Sequence, residues 1–178
     1  MQKIIKKIFD KKAPPVLIAE ISANHTGSIK KAKKLILTAK KNGADLVKLQ
    51  TYEPRNMTIN SSLKDFLVKD GLWKGYKLWD LYKEAQTPLK WQKELFNYSK
   101  KIKIPCFSTP YDDEGVDLLK KLNSKLYKVS SFEMKDSSLV KKICSIGKPV
   151  IISTGLANLK EISEVYKIAK KSGCKQLL

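Results

Sequence analysis

Residues 15–27 read PVLIAEISANHTG, and the order of residue types in them decides the fold. Val16, Leu17, Ile18 and Ala19 make an apolar, β-prone run, and Glu20 sits at its end. A carboxylate buried on such a strand without a partner costs several kcal/mol. The charge is tolerable where the strand finishes in a polar setting, and four further runs in the chain finish the same way. After PVLIAEIS (the 14–22 region) come LVKLQTY (46–52), PCFSTPY (105–111), LYKVSS (126–131) and PVIISTG (149–155). Each is nearly all apolar until its last positions, as in parallel strands covered on both faces. The polar residues gather at the C-terminal ends: Glu20 and Ser22, Lys48 and Gln50, Ser108 and Thr109, Lys128 and Ser131, Ser153 and Thr154. Ligands bind at that end of the strands in barrels and open α/β sheets alike.

Segments of helical period separate the runs. In SIKKAKKLILTAKKNGA, Ile29, Ala32, Leu35, Ile36 and Ala39 form a stripe at i, i+3 and i+4 spacing, and Gly43 closes the helix. PLKWQKELFNYSKK, DDEGVDLLKKLN, DSSLVKKICSIG and NLKEISEVYKIAKKSG repeat the pattern, with Asp136 and Asn158 as N-caps and Gly147 and Gly173 as stops. Repeated strand–helix units imply parallel strands with right-handed crossovers. The fold expected is α/β, a (β/α)8 TIM barrel carried through five βα units and, in CKQLL (174–178), the start of a sixth strand. Such a barrel needs about 200 residues or more, so 1–13 is expected as a lead-in and 14–178 as the N-terminal part of a truncated barrel. Residues 53–88 break the rhythm as a long excursion holding Trp73, Tyr76, Trp79 and Tyr82. They either pack a small cluster of their own or form a flap over the strand ends, and on a barrel both hold at once.

The 36 basic residues exceed the 17 acidic ones by 19. Only Arg55 is an arginine, and the lysines are scattered as pairs along helical segments, a solvated face rather than a nucleic-acid footprint. The excess helps draw anionic substrates. There is no run of about 18 apolar residues to span a membrane, and MQKIIKKIFDKK lacks the apolar core of a signal peptide. Cys106, Cys144 and Cys174 are odd in number and far apart, which suits reduced thiols in a cytoplasmic protein.

Lys48 and Gln50 alternate onto one face of their strand, and Lys128 holds an equivalent place two strands on. Lysines converging in a barrel mouth call for an anion, a phosphate or a carboxylate, with Thr109, Ser131 and Ser153 as further donors. Strict alternation pairs Lys128 with Ser130 rather than Ser131, but the strand ends about there. Glu20 and Glu133 beside such a site can exchange protons or hold sugar hydroxyls. His25, in a turn with Asn24 and Gly27, is expected to orient that turn rather than to catalyse.

IAEISANHTGS, GADLVKLQTY, FSTPY, YKVSSFE and KPVIISTG resemble, in order and spacing, the N-terminal barrel of the sialic acid synthase family, which makes nonulosonic acids. The match covers essentially residues 14 to 178, and FLVKDGLWKGYKLWDLYKEAQTP is most similar to the pseudaminic acid synthase branch. The resemblance implies condensation of phosphoenolpyruvate with an open-chain acetamido sugar, with release of phosphate. By the family's pattern Lys48, Gln50, Thr109, Lys128, Ser131 and Ser153 bind phosphoenolpyruvate, and Glu20 and Glu133 face the sugar and the reacting carbons. A divalent metal, manganese or magnesium, is implied as cofactor, with its histidine ligands beyond Leu178, as are a C-terminal antifreeze-like domain and a homodimer. The alternatives are an N-acetylneuraminic or legionaminic acid synthase and a truncated, non-catalytic half-barrel that binds phosphorylated ligands. On the leading reading the 178-residue piece alone is inactive, since an unclosed barrel exposes two sheet edges.

Overall fold

The computed structural model describes all 178 residues. Five strands, β1 (Ile18–Glu20), β2 (Leu46–Thr51), β3 (Cys106–Pro110), β4 (Tyr127–Val129) and β5 (Val150–Ile152), form one parallel sheet in sequential order. The helices are α1 (Gln2–Ile8), α2 (Ile29–Lys41), α3 (Pro54–Met57), α4 (Leu78–Ala85), α5 (Leu89–Lys101), α6 (Asp113–Lys121), α7 (Ser137–Ser145) and α8 (Leu159–Lys171). Beyond α8, Leu177 bridges Val150 in parallel, so the sixth strand begins where the sequence places it.

The helix ends follow from local chemistry. Asp136 accepts from the Ser138 and Leu139 N–H groups, and Asn158 forms a reciprocal capping box with Glu161. Gly147 and Gly173 leave α7 and α8 at φ of 70° and 92°, a region that is costly for residues with a Cβ.

Alternation sorts each strand between two faces. Outward, Val47, Leu49 and Cys106 pack on α2 and α5 with Ile36 and Leu95, while Tyr127, Val129 and Val150 pack on α6, α7 and α8 with Leu119, Ile143 and Val165. Inward, Leu46, Phe107 and Leu126 form a buried layer that takes Met1, Ile4 and Ile8 of the α1 region against it, with Ile151 beside them. The sheet is curled: Ile18 of β1 and Ile151 of β5 line the same hollow of about 180 Å³, although four strand spacings separate them. Laid flat, those spacings would hold the two strands roughly 19 Å apart. The architecture is a parallel five-stranded half-barrel with α1 across its floor.

Within the 1–13 lead-in, Ile4 and Ile8, one helical turn apart, turn α1 onto the inner floor. Two expectations are corrected. The strands are shorter than their apolar runs, and β1 is not covered on both faces, since Leu17 and Ile18 are 59% and 37% exposed at the sheet edge. Ser108 does not join the polar mouth; it faces outward and shares a hydrogen bond of 2.6 Å with Thr51. The excursion 53–88 partly packs on the strand ends, through Tyr82 of α4 edge-on to Tyr52. Its tip stays open, with Leu72 93% exposed.

Candidate functional site

Above the apolar floor, the inward side of every strand turns polar within one or two residues: Glu20 on β1, Lys48 and Gln50 on β2, Thr109 on β3, Lys128 on β4 and Ser153 just past β5. The register sets Glu20 beside Lys48 and Gln50 beside Thr109. Lys48 forms an ion pair with Glu20 and donates to Thr109 Oγ1 at 3.4 Å. Lys128 donates to Ser153 Oγ and to the Val129 carbonyl, both at 2.6 Å.

The two lysines look into one space. Burial, with the nearby Lys48 charge adding to it, pulls the Lys128 ammonium down to about 8, against the opposing pull of Glu133 and Glu20. Alternation also sends both side chains to the inner face, since Leu46 and Leu126, two residues before each of them, lie in the inner layer. Glu133 follows β4 in a 3-10 turn, Glu133–Lys135. Burial holds its carboxyl above the usual range, partly offset by its own backbone N–H and by Lys128. Its Oε2 is buried without a hydrogen-bond partner.

Six of the eight residues expected at this site thus gather directly: Glu20, Lys48, Thr109, Lys128, Ser153 and Glu133. Gln50 points to the same mouth, where its Nε2 reaches Tyr111 Oη at 3.5 Å; its carbonyl accepts from the buried Gln92 at 2.7 Å. Ser131 stands slightly apart. It is half-buried, and its Oγ lies 4.0 Å from where a Cβ on Gly155 would sit, next to the loop after β5. The residue that continues the inward alternation from Lys128 is Ser130, whose Oγ is buried and unpartnered.

Tyr111 is the functional candidate that residue-type reasoning missed. It closes the FSTPY stretch, where an aromatic reads as core, but its hydroxyl lies 3.5 Å from the Gln50 amide, with the Ser130 hydroxyl beside it and the Glu133 and Glu20 charges in its vicinity. Burial and those two carboxylates raise the phenol to about 12, so it stays a neutral donor. His25 behaves as a turn former: it is buried, Nδ1 accepts from the Gly27 N–H at 3.2 Å, and Nε2 faces Thr87 at 3.4 Å.

A divalent cation fits poorly with these residues. No group of three His, Cys, Asp or Glu side chains comes together to ligate one, and the lone histidine is committed to its turn.

The sequence model of the NeuB family matches residues 35–178. The chain belongs to that family. Among relatives, it is 44% identical over 166 residues to a pseudaminic acid synthase of Campylobacter jejuni, covering 93% of this chain and 46% of that protein. It is 39% identical to the pseudaminic acid synthase of Helicobacter pylori over 89% of this chain and 46% of that one. An N,N'-diacetyllegionaminic acid synthase of Campylobacter jejuni is 38% identical over 90% of this chain and 48% of that protein. The chain therefore spans about half the length of the curated relatives it matches. Among solved NeuB-like folds, the N-acetylneuraminic acid synthetase of Leptospira borgpetersenii superposes with a TM-score of 0.78 at 27% identity, over 92% of this chain and 53% of that one. A DAHP synthase of Thermotoga maritima, 12% identical, shares the fold at a TM-score of 0.61.

Proposed function

We propose that this NeuB-family half-barrel is the phosphoenolpyruvate-binding part of a nonulosonic acid synthase, and that the product is pseudaminic acid. The observation that carries the reading is the convergence of Lys48 and Lys128 on one polar mouth already furnished with the Thr109 and Ser153 hydroxyls. Two ammonium groups and two alcohols suit a phosphate ester, and charge-assisted hydrogen bonds of this kind contribute roughly 1.5–3 kcal/mol each. Ser131 and Gln50 extend the donor set. The net charge of +19 favours the approach of a trianionic ligand.

In the reaction, C3 of phosphoenolpyruvate attacks the aldehyde carbon of an open-chain acetamido sugar. A C–C bond forms and the aldehyde oxygen takes a proton. Water then adds at C2 and loses a proton, and phosphate leaves from the tetrahedral adduct. Lys48 and Lys128 hold the phosphate through both steps. Glu133, biased toward its protonated form by burial, is suited to supply or accept the proton at the reacting oxygens. Glu20, tied to Lys48 and partly exposed, faces the sugar side.

The two pseudaminic acid synthase relatives named above support pseudaminic acid as the product, and the legionaminic acid synthase supports the alternative sugar. The test is an assay of the full-length protein with phosphoenolpyruvate and each purified precursor sugar, following phosphate release and product mass. Turnover of the pseudaminic precursor well above the others is expected. Equal use of all three would defeat the choice of branch. Phosphoenolpyruvate binding without release on any sugar would instead mark a non-catalytic phospho-ligand binder.

A further inference from the structure

β2 outlasts β1. The last pair in their register is Glu20 with Lys48, and the Ile21 N–H still reaches the Lys48 carbonyl at 3.0 Å. At Ser22 the chain then leaves the sheet with φ of 46°. In a parallel sheet alternate residues of a strand bond to the same neighbour. The next β2 carbonyl on that side, Gln50, is therefore left without a donor from β1. Covered by α5, it needs another donor. Gln92, near the start of α5, supplies one: its Nε2 donates to the Gln50 carbonyl at 2.7 Å, and its side chain is wholly buried. The Oε1 of the same amide is buried with no partner. Leu or Met would fill the position without that loss, so the residue is used here for its N–H.

We propose that Gln92 is a positioning residue for Gln50: by holding the Gln50 carbonyl where β1 cannot, it fixes the direction in which the Gln50 side chain enters the polar mouth. This deepens the synthase reading and rests on it, since Gln50 belongs there to the donor set for phosphoenolpyruvate. The Gln50 side chain has little else to hold it. Its one hydrogen bond, from Nε2 to Tyr111 Oη, is 3.5 Å long, beyond the ordinary range for such a bond. The backbone anchor therefore sets its aim. α5 does not depend on Gln92 for its own place. Leu95 packs with Val47 and Leu49, and Trp91 meets the His25 ring edge-on at 5.5 Å. Just before the helix, Thr87 faces His25 Nε2 at 3.4 Å. Removing the amide thus frees Gln50 and leaves the helix seated.

The experiment is a double-mutant cycle on the full-length protein: wild type, Gln92→Met, Gln50→Ala and the double variant, each titrated calorimetrically with phosphoenolpyruvate and each melted. Gln92→Met should weaken binding about fivefold in the wild type and by less than about twofold in the Gln50→Ala background. The fall in Tm should be the same in both backgrounds. Equal weakening in both, or no weakening in a folded Gln92→Met, overturns the proposal, because a merely structural amide acts whether or not the Gln50 side chain is there. Should Gln92→Met fail to fold, Gln92→Glu replaces it. The protonated acid can donate to the Gln50 carbonyl and the carboxylate cannot, so binding should fall more steeply than in the wild type between about pH 5 and 8. A pH dependence parallel to the wild type overturns the proposal. A wild type that does not bind phosphoenolpyruvate sinks the synthase reading instead. The anchor is then read from the ¹⁵N side-chain amide signal of Gln50, assigned by its absence in Gln50→Ala: it should shift in Gln92→Met, and an unmoved signal overturns the proposal.

Discussion

Lys128 gives the sharpest handle on the site, because its ammonium titrates near neutral pH. Free of ligand it sits at about 8, drawn down by burial and by Lys48. A bound phosphate ester favours the charged form and lifts it back toward the ordinary lysine value. Binding therefore takes up a proton whenever the pH exceeds about 8. At pH 7 about nine sites in ten are already charged, and at pH 9 about one in ten is, so affinity should weaken about tenfold between those values. The ligand adds no slope of its own, since the second ionisation of a phosphate ester lies near 6 and is complete by then. Calorimetric titration with phosphoenolpyruvate from pH 7 to 9 measures it. In Lys128→Met the affinity is lower throughout and the slope is gone. The stability consequence has a definite sign: the folded value is depressed, so the folded state is penalised for a charged Lys128 at pH below about 8. The penalty fades as pH rises from there toward the unfolded value, and the gap in Tm to Lys128→Met should shrink over that window. A pH-independent affinity in the wild type, or a slope that survives in Lys128→Met, would refute the shared-mouth electrostatics.

Other expectations follow from the same geometry. Lys48→Ala should weaken phosphoenolpyruvate binding roughly tenfold or more while leaving Tm nearly unchanged, because its partner Glu20 remains partly exposed to water; calorimetry and thermal melts separate the two. Glu133→Gln should lower kcat more than it raises KM, as measured by steady-state phosphate release. His25 is buried and its imidazole is held below the usual value by that burial. Stability should be full above about pH 6.5 and be lost as pH falls through the depressed value. A His25→Asn variant melted across pH 4–7 should flatten that dependence.

Much of this site was legible in the sequence because a parallel strand announces its ligand end by switching from apolar to polar. The switch at Glu20, Lys48, Thr109 and Ser153 survives in the structure at the inward positions that alternation requires. Capping was equally legible, since the Asp136 and Asn158 side chains act within a few residues of themselves. What escaped depends on where strands stop and which way a residue then turns. β4 ends at Val129, so spacing alone did not tell Ser130 from Ser131. Ser108 looked like part of the mouth by residue type, but its parity sends it to Thr51 on the outer face. Tyr111 was hidden because aromatics at strand ends serve cores more often than sites, and its hydroxyl meets Gln50 only through the pairing of β2 with β3. The floor formed by α1 depends on curvature, which no local pattern encodes.

The central claim is that Lys48 and Lys128 grip one phosphate. A crystal structure of the full-length protein with phosphoenolpyruvate tests it most directly: the phosphate should lie between the two ammonium groups, within hydrogen-bond reach of both and of the Ser153 hydroxyl. Phosphoenolpyruvate bound elsewhere, or touching only one of the two lysines, would contradict it.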